Sequence, residues 1–490
     1  MSTTIGRWSF GAGLLGLGLG LWLGAPIACD DAAIGFRFAE RLATGQGYTY
    51  VDGPAVFGAS TPLWTLLMAM VSSLGLPIEA TARVMGAALL GTAAALATNL
   101  ACRVGPQRAA TGLGLAAGML VALDPHTRTW TTAGLGTGVA LVLTLAVPLA
   151  LHRGQMVWAG ALAGLAMVHK LDGALLVLSM SGALASVRDR RGLLQALGAA
   201  ALLVLPVTVL ETAWFGSPVP QSVVAKLAHT TDPGRLWPMD WLLEGRRGLL
   251  LFPAMGGMWL WRSSRSATGQ VAIRCLGLHF LLHLTAVTFV NLGDAFPWYL
   301  VVLQGPLVVL GVAGAMHAWS SGGSAARGMA ALVMVPLGIA VLSTHTEAQD
   351  DGPSVDAAFE LDRRAAGWFL QRHADPQEVV ETPHGWVAHA SKLPVLDPTG
   401  ITGSDQGTAT YSVRHGLVPQ SPQTFLQPDG MVELARFDLA HRLDPKRTWF
   451  VVFGRPNAAA VGSPPAHRDD AIRVEDHALA TAWRAWVEQP

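Results

Sequence analysis

Residues 8–31 read WSFGAGLLGLGLGLWLGAPIACDD, an uncharged apolar run that ends in two adjacent carboxylates. A run of roughly 20 apolar residues is long enough to cross a lipid bilayer as an α-helix. Similar runs recur as far as residue 343 and predict about eleven membrane spans. The predicted spans are residues 8–28, 80–101, 110–123, 133–151, 156–168, 173–187, 193–213, 249–261, 271–291, 298–316 and 329–343.

The charged residues are distributed unevenly along the 490 residues. They make up only 13% of the chain, against about 25% in soluble proteins, and acidic and basic residues are equal at 33 each. Residues 1–344 hold 33 charged residues, and residues 345–490 hold the other 33. This distribution excludes a single soluble enzyme and a disordered chain, and the charge balance does not suggest a nucleic-acid partner. We therefore predict a membrane domain over residues 1–344 and a water-exposed domain over residues 345–490.

A cytoplasmic N-terminus sorts the charges of the membrane part by side, as the positive-inside rule requires. Arginines such as Arg7 and Arg153 then lie inside, and acids such as Asp30 and Asp124 lie outside, with Asp189 as the exception. An odd number of spans places residues 345–490 outside as well. The apolar run 63–76 is short for a span, so we expect it to lie along the outer surface.

The N-terminus and the cysteines allow an alternative to be weighed. Arg7, the apolar run and Cys29 also resemble a lipoprotein signal cleaved before Cys29. The length of the run and Pro26, at a position where such signals prefer leucine, favour an uncleaved first helix. The other two cysteines, Cys102 and Cys275, complete no CxxC or zinc spacing, so the sequence indicates neither a disulfide framework nor a metal site.

The first outer loop, residues 29–79, has the features of a site. Residues 34–42 (IGFRFAERL) have amphipathic helical spacing, and the run from residue 63 predicts a second surface helix. Two such helices would cover a cavity at the membrane surface. Asp30 and Asp31 fit two interpretations. They can cap a helix N-terminus, which the pair alone favours, or abstract a proton, because a like-charged neighbour raises one pKa toward the working pH.

Three stretches of this loop, 30–40 (DDAAIGFRFAE), 45–48 (GQGY) and 58–67 (GASTPLWTLL), resemble the first periplasmic loop of the GT-C glycosyltransferases. They are most similar to the group that contains the terminal β-arabinofuranosyltransferase of mycobacterial cell-wall arabinan. The resemblance implies a polytopic α-helical enzyme of the bacterial inner membrane with a C-terminal periplasmic α/β domain. It implies a polyprenyl-phosphate sugar donor, Asp30 as the general base, and Asp31 as the residue that tunes or orients it.

Later stretches resemble other outer loops of the same family. At residues 130–137 (WTTAGLGT), Gly136 stands where an acid is usual. In the turn HKLDG at 169–173, Lys170 occupies a position where the family has arginine, and Asp172 matches the family's acidic residue. The remaining similar stretches are FGSPVPQS at 215–222 with Ala225-Lys226, and GDAFPWY at 293–299. From these matches we assign substrate contacts to Glu40, Trp64, Asp172, Gln221, Asp294, Trp298, Tyr299 and Trp386.

Such a reaction needs a base for the acceptor hydroxyl, cations for the departing phosphate and a groove open to lipid. Attack opposite the phosphate inverts the anomeric centre. The predicted phosphate-binding cations are Lys226, Arg128, Lys170 and Arg37. Arg128 and Lys170 fit snorkelling at the membrane interface equally well, and Arg37 fits an ion pair with Glu40.

Two further features leave alternatives open. His279 and His283 lie four residues apart, on one helix face, and without a third ligand we expect them to pack inside the bundle.

In residues 345–490, helical spacing at 357–372 and strand-like runs at 378–381, 393–396 and 448–453 predict an α/β domain. Its HGW (384–386) and DPTG (397–400) loops resemble the family's outer-domain signature. They would bind a glycan or dock the domain on the membrane part.

The sequence therefore predicts a glycosyltransferase that moves a sugar from a polyprenyl-phosphate donor to a cell-envelope glycan or lipid acceptor. The sequence indicates no required cofactor, and it does not decide whether a divalent metal is needed. A secondary transporter is one alternative, but transporter sites lie at the midplane between internal repeats, whereas the charges here lie in outer loops. Gly136 keeps open a non-catalytic protein that binds polyprenyl lipids during assembly.

Overall fold

A computed structural model describes residues 2–25, 28–105, 110–228, 242, 250–251, 254, 267–290, 297–321, 355–382, 385–396, 409–415, 431–437 and 450–455. This part is mostly helical. Its first helices are α1 (Ser2–Leu23), α2 (Asp30–Ala43), α3 (Pro62–Ser73), α4 (Ile78–Val104), α5 (Ala110–Leu123), α6 (Pro125–Thr132) and α7 (Thr137–His152). They are followed by α8 (Met156–His169), α9 (Ala174–Ser186), α10 (Arg190–Phe215), α11 (Gln221–Ala228), α12 (Ala267–Val290) and α13 (Val301–Ser321).

Glycines bring α1 and α4 into close contact. A Cβ atom on Gly16 would approach the Cα atom of Gly91 to 2.9 Å, and one on Gly20 would approach the Cα atom of Ala87 to 2.9 Å. Small residues let helix backbones pack closely, which compensates for the weak hydrophobic drive between helices in lipid. The glycine-rich sequence of α1 thus specifies its partner.

Four described helices are long and apolar enough to cross a membrane: Ile78–Val104, Arg190–Phe215, Ala267–Phe289 and Pro297–His317. The pair α6–α7, bent by 117°, would count as a fifth. Several other predicted spans are shorter apolar helices, so the number eleven stays a prediction. The predicted span 249–261 lies largely, and 329–343 wholly, outside the described residues.

The two helices predicted for the outer loop are present. Helix α2 covers the amphipathic stretch 34–42, and α3 begins at Pro62. Phe36 of α2 is buried, as are Trp64 and Met68 of α3, and these side chains share one hydrophobic cluster. This packing holds both helices against the bundle and fixes where α2 begins.

The last described elements are α14 (Val355–His373), α15 (Gly385–Ser391) and a five-stranded sheet. The strands are β1 (Val380–Glu381), β2 (Val395–Leu396), β3 (Tyr411–His415), β4 (Val432–Phe437) and β5 (Phe450–Gly454), in the order β2-β1-β3-β5-β4. Strand β1 pairs in parallel with β2 and β3, whereas β5 is antiparallel to β3 and β4. The helix and the three strands predicted here fall on α14, β1, β2 and β5; β3 and β4 lacked a clear sequence signal.

One hydrophobic cluster joins this sheet to the first outer loop. It contains Phe38 and Tyr48 of the loop together with Phe369, Val387 and Tyr411. The rings of Phe38 and Tyr48 lie 5.1 Å apart. The loop therefore shares its core with the C-terminal elements, which positions the acid pair at their boundary. The predicted domain boundary, residue 344, lies outside the described residues.

Candidate active site

Asp30 contacts the C-terminal part of the chain. Its Oδ1 atom accepts a hydrogen bond of 2.8 Å from the backbone N–H of Trp386, in the first turn of α15. The Trp386 indole N–H donates to the carbonyl oxygen of Ala28 at 2.9 Å. Asp30 thus satisfies an N–H at the start of α15, whereas Cys29, the residue that precedes α2, makes no side-chain cap. This contact caps α15, a helix far along the chain, and not α2, the helix for which capping was predicted.

A third carboxyl group lies beside the pair. Glu360 of α14 lies close enough to Asp30 for the two carboxyl groups to influence each other, and its Oε1 atom lies 2.9 Å from Nη1 of Arg363. Burial raises the pKa of the Glu360 carboxyl, Arg363 lowers it and Asp30 raises it further. Sequence analysis missed Glu360, because nothing in an amphipathic helix shows which distant element it will pack against.

Asp31 lines an open cavity beneath α2. The other lining residues come from α2, the 58–61 segment, and the loops before α7 and after α8. The cavity wall is formed by Asp31, Ile34, Gly35, Gly58, Ala59, Ser60, Thr61, Leu135, Thr137, His169, Lys170, Ser222 and Trp298. Of the two predicted acids, Asp31 is therefore the one in the cavity wall, and Asp30 lies behind it.

Lys170 is a fixed cation in this wall. Its Nζ atom lies 3.3 Å from Oδ2 of Asp172 and 3.5 Å from the ring centroid of Tyr299. A carboxylate and an aromatic face both attract an ammonium group, and together they hold it in one position. The lysine side chain is only 12% exposed. Three residues chosen from the sequence, Lys170, Asp172 and Tyr299, thus form one cluster.

A second, mainly apolar groove adjoins the cavity. It lies between the end of α8, the outer half of α10 and residues 218–220, and Ser60 and Lys170 line both spaces. The groove is lined by Ser60, Pro62, Met167, Val168, Lys170, Leu171, Val204, Val207, Thr208, Glu211, Pro218, Val219 and Pro220. Apolar side chains of α10 are also exposed on its outer face, as expected for contact with lipid.

Arg37 does not contact the cavity. Its Nε and Nη2 atoms donate to the carbonyl oxygens of Tyr50 (2.9 Å) and Leu393 (2.6 Å), and Nη1 donates to that of Ala388. The guanidinium is buried between α2 and α15. The predicted phosphate contact is therefore replaced by a structural one, and Glu40 pairs with Lys392 (2.6 Å) rather than with Arg37.

Arg128 is also buried away from the cavity wall. Its Nε atom donates to the carbonyl oxygen of Leu23 at 2.8 Å. Helix α6 carries it there, and the Asp124 carboxylate accepts the backbone N–H of Thr127 at 2.8 Å to start that helix. Arg128 thus satisfies a carbonyl at the carboxyl end of α1, a contact that differs from the predicted phosphate contact.

The surroundings of Gly136 show why this position does not carry the acid that is usual in the family. Its φ of +71° is left-handed, and a Cβ atom there would lie 2.6 Å from Cγ of Trp64. The Trp64 indole N–H donates to the carbonyl oxygen of Gly134 at 2.7 Å, which holds the ring in place. Trp64 therefore packs the wall of the site and fills the space that a side chain at position 136 would need.

The remaining predicted residues lie in different places. Trp298 lines the cavity and packs on Trp130, with ring centroids 5.2 Å apart. Gln221 begins α11, and its backbone N–H donates to the carbonyl oxygen of Phe57 at 2.8 Å. The backbone of Lys226 belongs to α11, but its side chain lies outside the described residues, as does all of Asp294.

The buried histidines bind neighbouring groups. The Nε2 atom of His283 lies 2.8 Å from the carbonyl oxygen of Tyr299, and that of His279 lies 3.5 Å from Oγ1 of Thr144. Within the described ranges, no group of three or more His, Cys, Asp or Glu side chains could hold a metal ion.

The described helices define a mostly helical protein, and several of them are long and apolar enough to cross a membrane. A solved protein with this fold is ArnT from Cupriavidus metallidurans, in its apo state. The TM-score is 0.54 and the identity 15%, over 92% of this chain and 97% of that one. No protein-family model and no curated protein sequence matches the chain. At this identity the likeness shows the fold, and the similarity to the arabinofuranosyltransferase group stays a prediction.

Proposed function

We propose that this protein is a membrane glycosyltransferase that moves a sugar from a polyprenyl-phosphate donor to a glycan or lipid acceptor at the periplasmic face. One observation carries the proposal. A cavity whose wall contains Asp31, His169 and Lys170 adjoins an apolar groove beside α10, and Lys170 and Ser60 line both spaces. A lipid-linked sugar phosphate has the same order of parts: an apolar chain, an anionic phosphate and a polar sugar.

The groove would hold the first prenyl units, because apolar residues of α8 and α10 line it and α10 is exposed to lipid. The phosphate would then lie at Lys170. A cation held in place by Asp172 and Tyr299 is preorganised to stabilise the charge that develops on the leaving phosphate. Ser60 at the same junction offers a hydroxyl donor.

Asp31 is the carboxylate placed to act as general base. It would take the proton of the acceptor hydroxyl as that oxygen forms its bond to the anomeric carbon. The bond between the anomeric carbon and the phosphate oxygen breaks, polyprenyl phosphate leaves, and the anomeric centre inverts. Asp30 would act indirectly. Its bond to Trp386 fixes the first turn of α2 and hence the direction of the neighbouring Asp31 side chain.

The test is sugar transfer by the full chain in lipid nanodiscs, with a panel of polyprenyl-phosphoryl pentoses and hexoses and a cell-envelope glycan as acceptor. We expect Asp31→Asn to lose transfer by about three orders of magnitude while binding donor normally. Lys170→Gln should weaken donor binding. Asp52→Asn is the matched control, because Asp52 lies on the same loop with an almost fully exposed side chain and should transfer normally.

Full activity of Asp31→Asn would remove Asp31 as the base. Binding of polyprenyl phosphate by the wild type without transfer to any acceptor would indicate a lipid-binding assembly protein. Solute uptake into vesicles that does not depend on Asp31 would indicate a transporter.

A further inference from the structure

His169, the last residue of α8, is a polar side chain of the cavity wall that the proposed mechanism does not use. It is almost completely buried, and its Nε2 atom lies 3.1 Å from the carbonyl oxygen of Gly136. Its other ring nitrogen, Nδ1, is buried and has no hydrogen-bond partner among the residues that the structure describes. A buried polar atom without a partner is unusual in a folded protein and calls for an explanation.

The contact with Gly136 determines the tautomer. A carbonyl oxygen only accepts, so Nε2 must carry the proton, and in the neutral ring Nδ1 is then a bare acceptor. Protonation of Nδ1 would place a second positive charge next to Lys170 in a buried site, which is unfavourable. His169 therefore presents a lone pair that needs an N–H or O–H donor.

The wall around this histidine is rigid. Gly136 has no side chain, because Trp64 occupies the adjacent space, and its carbonyl oxygen is left to orient the His169 ring. Trp64 is itself held by the carbonyl oxygen of Gly134. A ring oriented in this way recognises one direction of approach, which is a requirement for specificity.

The chemistry of the proposed donor limits what can satisfy Nδ1. The prenyl chain has no donor, and an ionised phosphate diester has only acceptors. Among the parts of a polyprenyl-phosphoryl sugar, only the sugar hydroxyls can donate. His169 and Lys170 are neighbours in the cavity wall. In the proposed function Lys170 holds the phosphate, and the sugar is the group bonded to that phosphate.

We propose that Nδ1 of His169 accepts a hydrogen bond from a hydroxyl group of the donor sugar, which makes His169 a specificity-determining residue. This inference rests on the proposed function, since it takes the cavity to bind a lipid-linked sugar. It goes further by assigning the recognition of one sugar hydroxyl to a side chain that the resemblance to the GT-C loops does not assign.

The test uses binding, so it does not depend on turnover. Native mass spectrometry of the full chain compares decaprenyl phosphate, decaprenyl-phosphoryl arabinofuranose and analogues of the latter in which one hydroxyl at a time is replaced by hydrogen. We expect the wild type to bind one of these deoxy analogues about tenfold more weakly than the parent sugar. His169→Phe, which keeps a ring but removes both nitrogens, should bind that analogue and the parent equally.

His169→Asn is the second variant, because its Oδ1 atom can accept near the position of Nδ1 while the bond to Gly136 is lost. It should keep part of the discrimination, whereas a merely structural role predicts the same loss in both variants. His169→Asn also keeps the test decisive if His169→Phe fails to fold.

The proposal is overturned if the wild type does not distinguish the deoxy analogues, or if His169→Phe weakens all the lipids equally. Failure of the proposed function has a different signature: neither decaprenyl phosphate nor its sugar derivatives bind. Binding with discrimination but without transfer would remove the enzymatic step and leave the role of His169 intact.

Discussion

The carboxylate of Asp30 accepts a hydrogen bond of 2.8 Å from the backbone N–H of Trp386, which lies 356 residues further along the chain. The start of α15 is thus stabilised by a carboxylate of α2, and Glu360 of α14 lies near the same carboxylate. The two acids of the pair have different positions: Asp30 joins two parts of the protein, and Asp31 lines the cavity.

Asp30→Ala should reduce stability rather than remove the base. Loss of a carboxylate that satisfies an N–H at a helix start costs about 1 kcal/mol, and Asp30→Asn, which keeps an acceptor oxygen, should cost less. Hydrogen exchange of residues 385–391 should increase in the alanine variant. If Asp30→Asn abolishes transfer with unchanged stability while Asp31→Asn remains active, the two roles are reversed.

Arg37→Lys should destabilise the contact between α2 and α15. An ammonium group cannot bond the carbonyl oxygens of Tyr50, Ala388 and Leu393 together, and at least one would stay unsatisfied, at a cost of about 1–3 kcal/mol. Thermal unfolding measures the loss. Arg41→Lys is the matched control, because Arg41 pairs with the exposed Asp52 and should change stability little. Unchanged stability of Arg37→Lys together with weaker donor binding would restore Arg37 as a phosphate ligand.

Lys170→Met should raise the KM for a polyprenyl-phosphoryl donor about tenfold or more, because one charge-assisted contact to phosphate is lost. The loss should become smaller at high salt. Lys392→Met provides the control, since Lys392 is a half-exposed cation paired with Glu40 on the other side of α2. A KM that does not change in Lys170→Met would move the phosphate site elsewhere.

Gly136→Ala should destabilise the protein more than Gly216→Ala. Both glycines have left-handed φ angles, +71° and +76°, and such a conformation costs an alanine about 1 kcal/mol. Only at position 136 does the new Cβ atom also meet Trp64, since the space around Gly216 is open. The difference in free energy of unfolding therefore measures the collision. Equal losses would show that Trp64 moves aside freely.

The stability of the wild type should fall with pH on account of Glu360. Its pKa is raised in the folded protein by burial, so folding favours the protonated form. That contribution is fully present below the ordinary carboxyl pKa of 4.5 and is lost as the pH rises through the raised value. Glu360→Gln should flatten this part of the profile of melting temperature against pH, whereas Asp375→Asn, at an exposed turn, should leave it unchanged. An identical slope in Glu360→Gln would exclude the buried carboxyl as its source.

The outer loop shows what local sequence patterns could predict. Amphipathic spacing identified α2, and the apolar run from residue 63 identified α3, because such patterns are visible in a helix's own residues. Lys170, Asp172 and Tyr299 were each selected through the family resemblance, but their contacts with one another come from the structure.

The contacts of Arg37, Glu360 and His169 were not predictable in this way. Arg37 binds carbonyl groups more than 350 residues away, and any arginine on a surface helix has the same local pattern. His169 lies in the cavity wall with its ring bonded to Gly136, a residue of another segment that packs on Trp64. Such arrangements depend on tertiary packing, which periodicity does not encode.

The bond between α2 and α15 also sets an order for biogenesis. The ribosome makes Asp30 more than 300 residues before its partner Trp386. Asp30 therefore lacks this partner until the C-terminal helices have been translated and docked on the loop. A chain truncated before α14 would be made without the contact that joins the start of α2 to the C-terminal part.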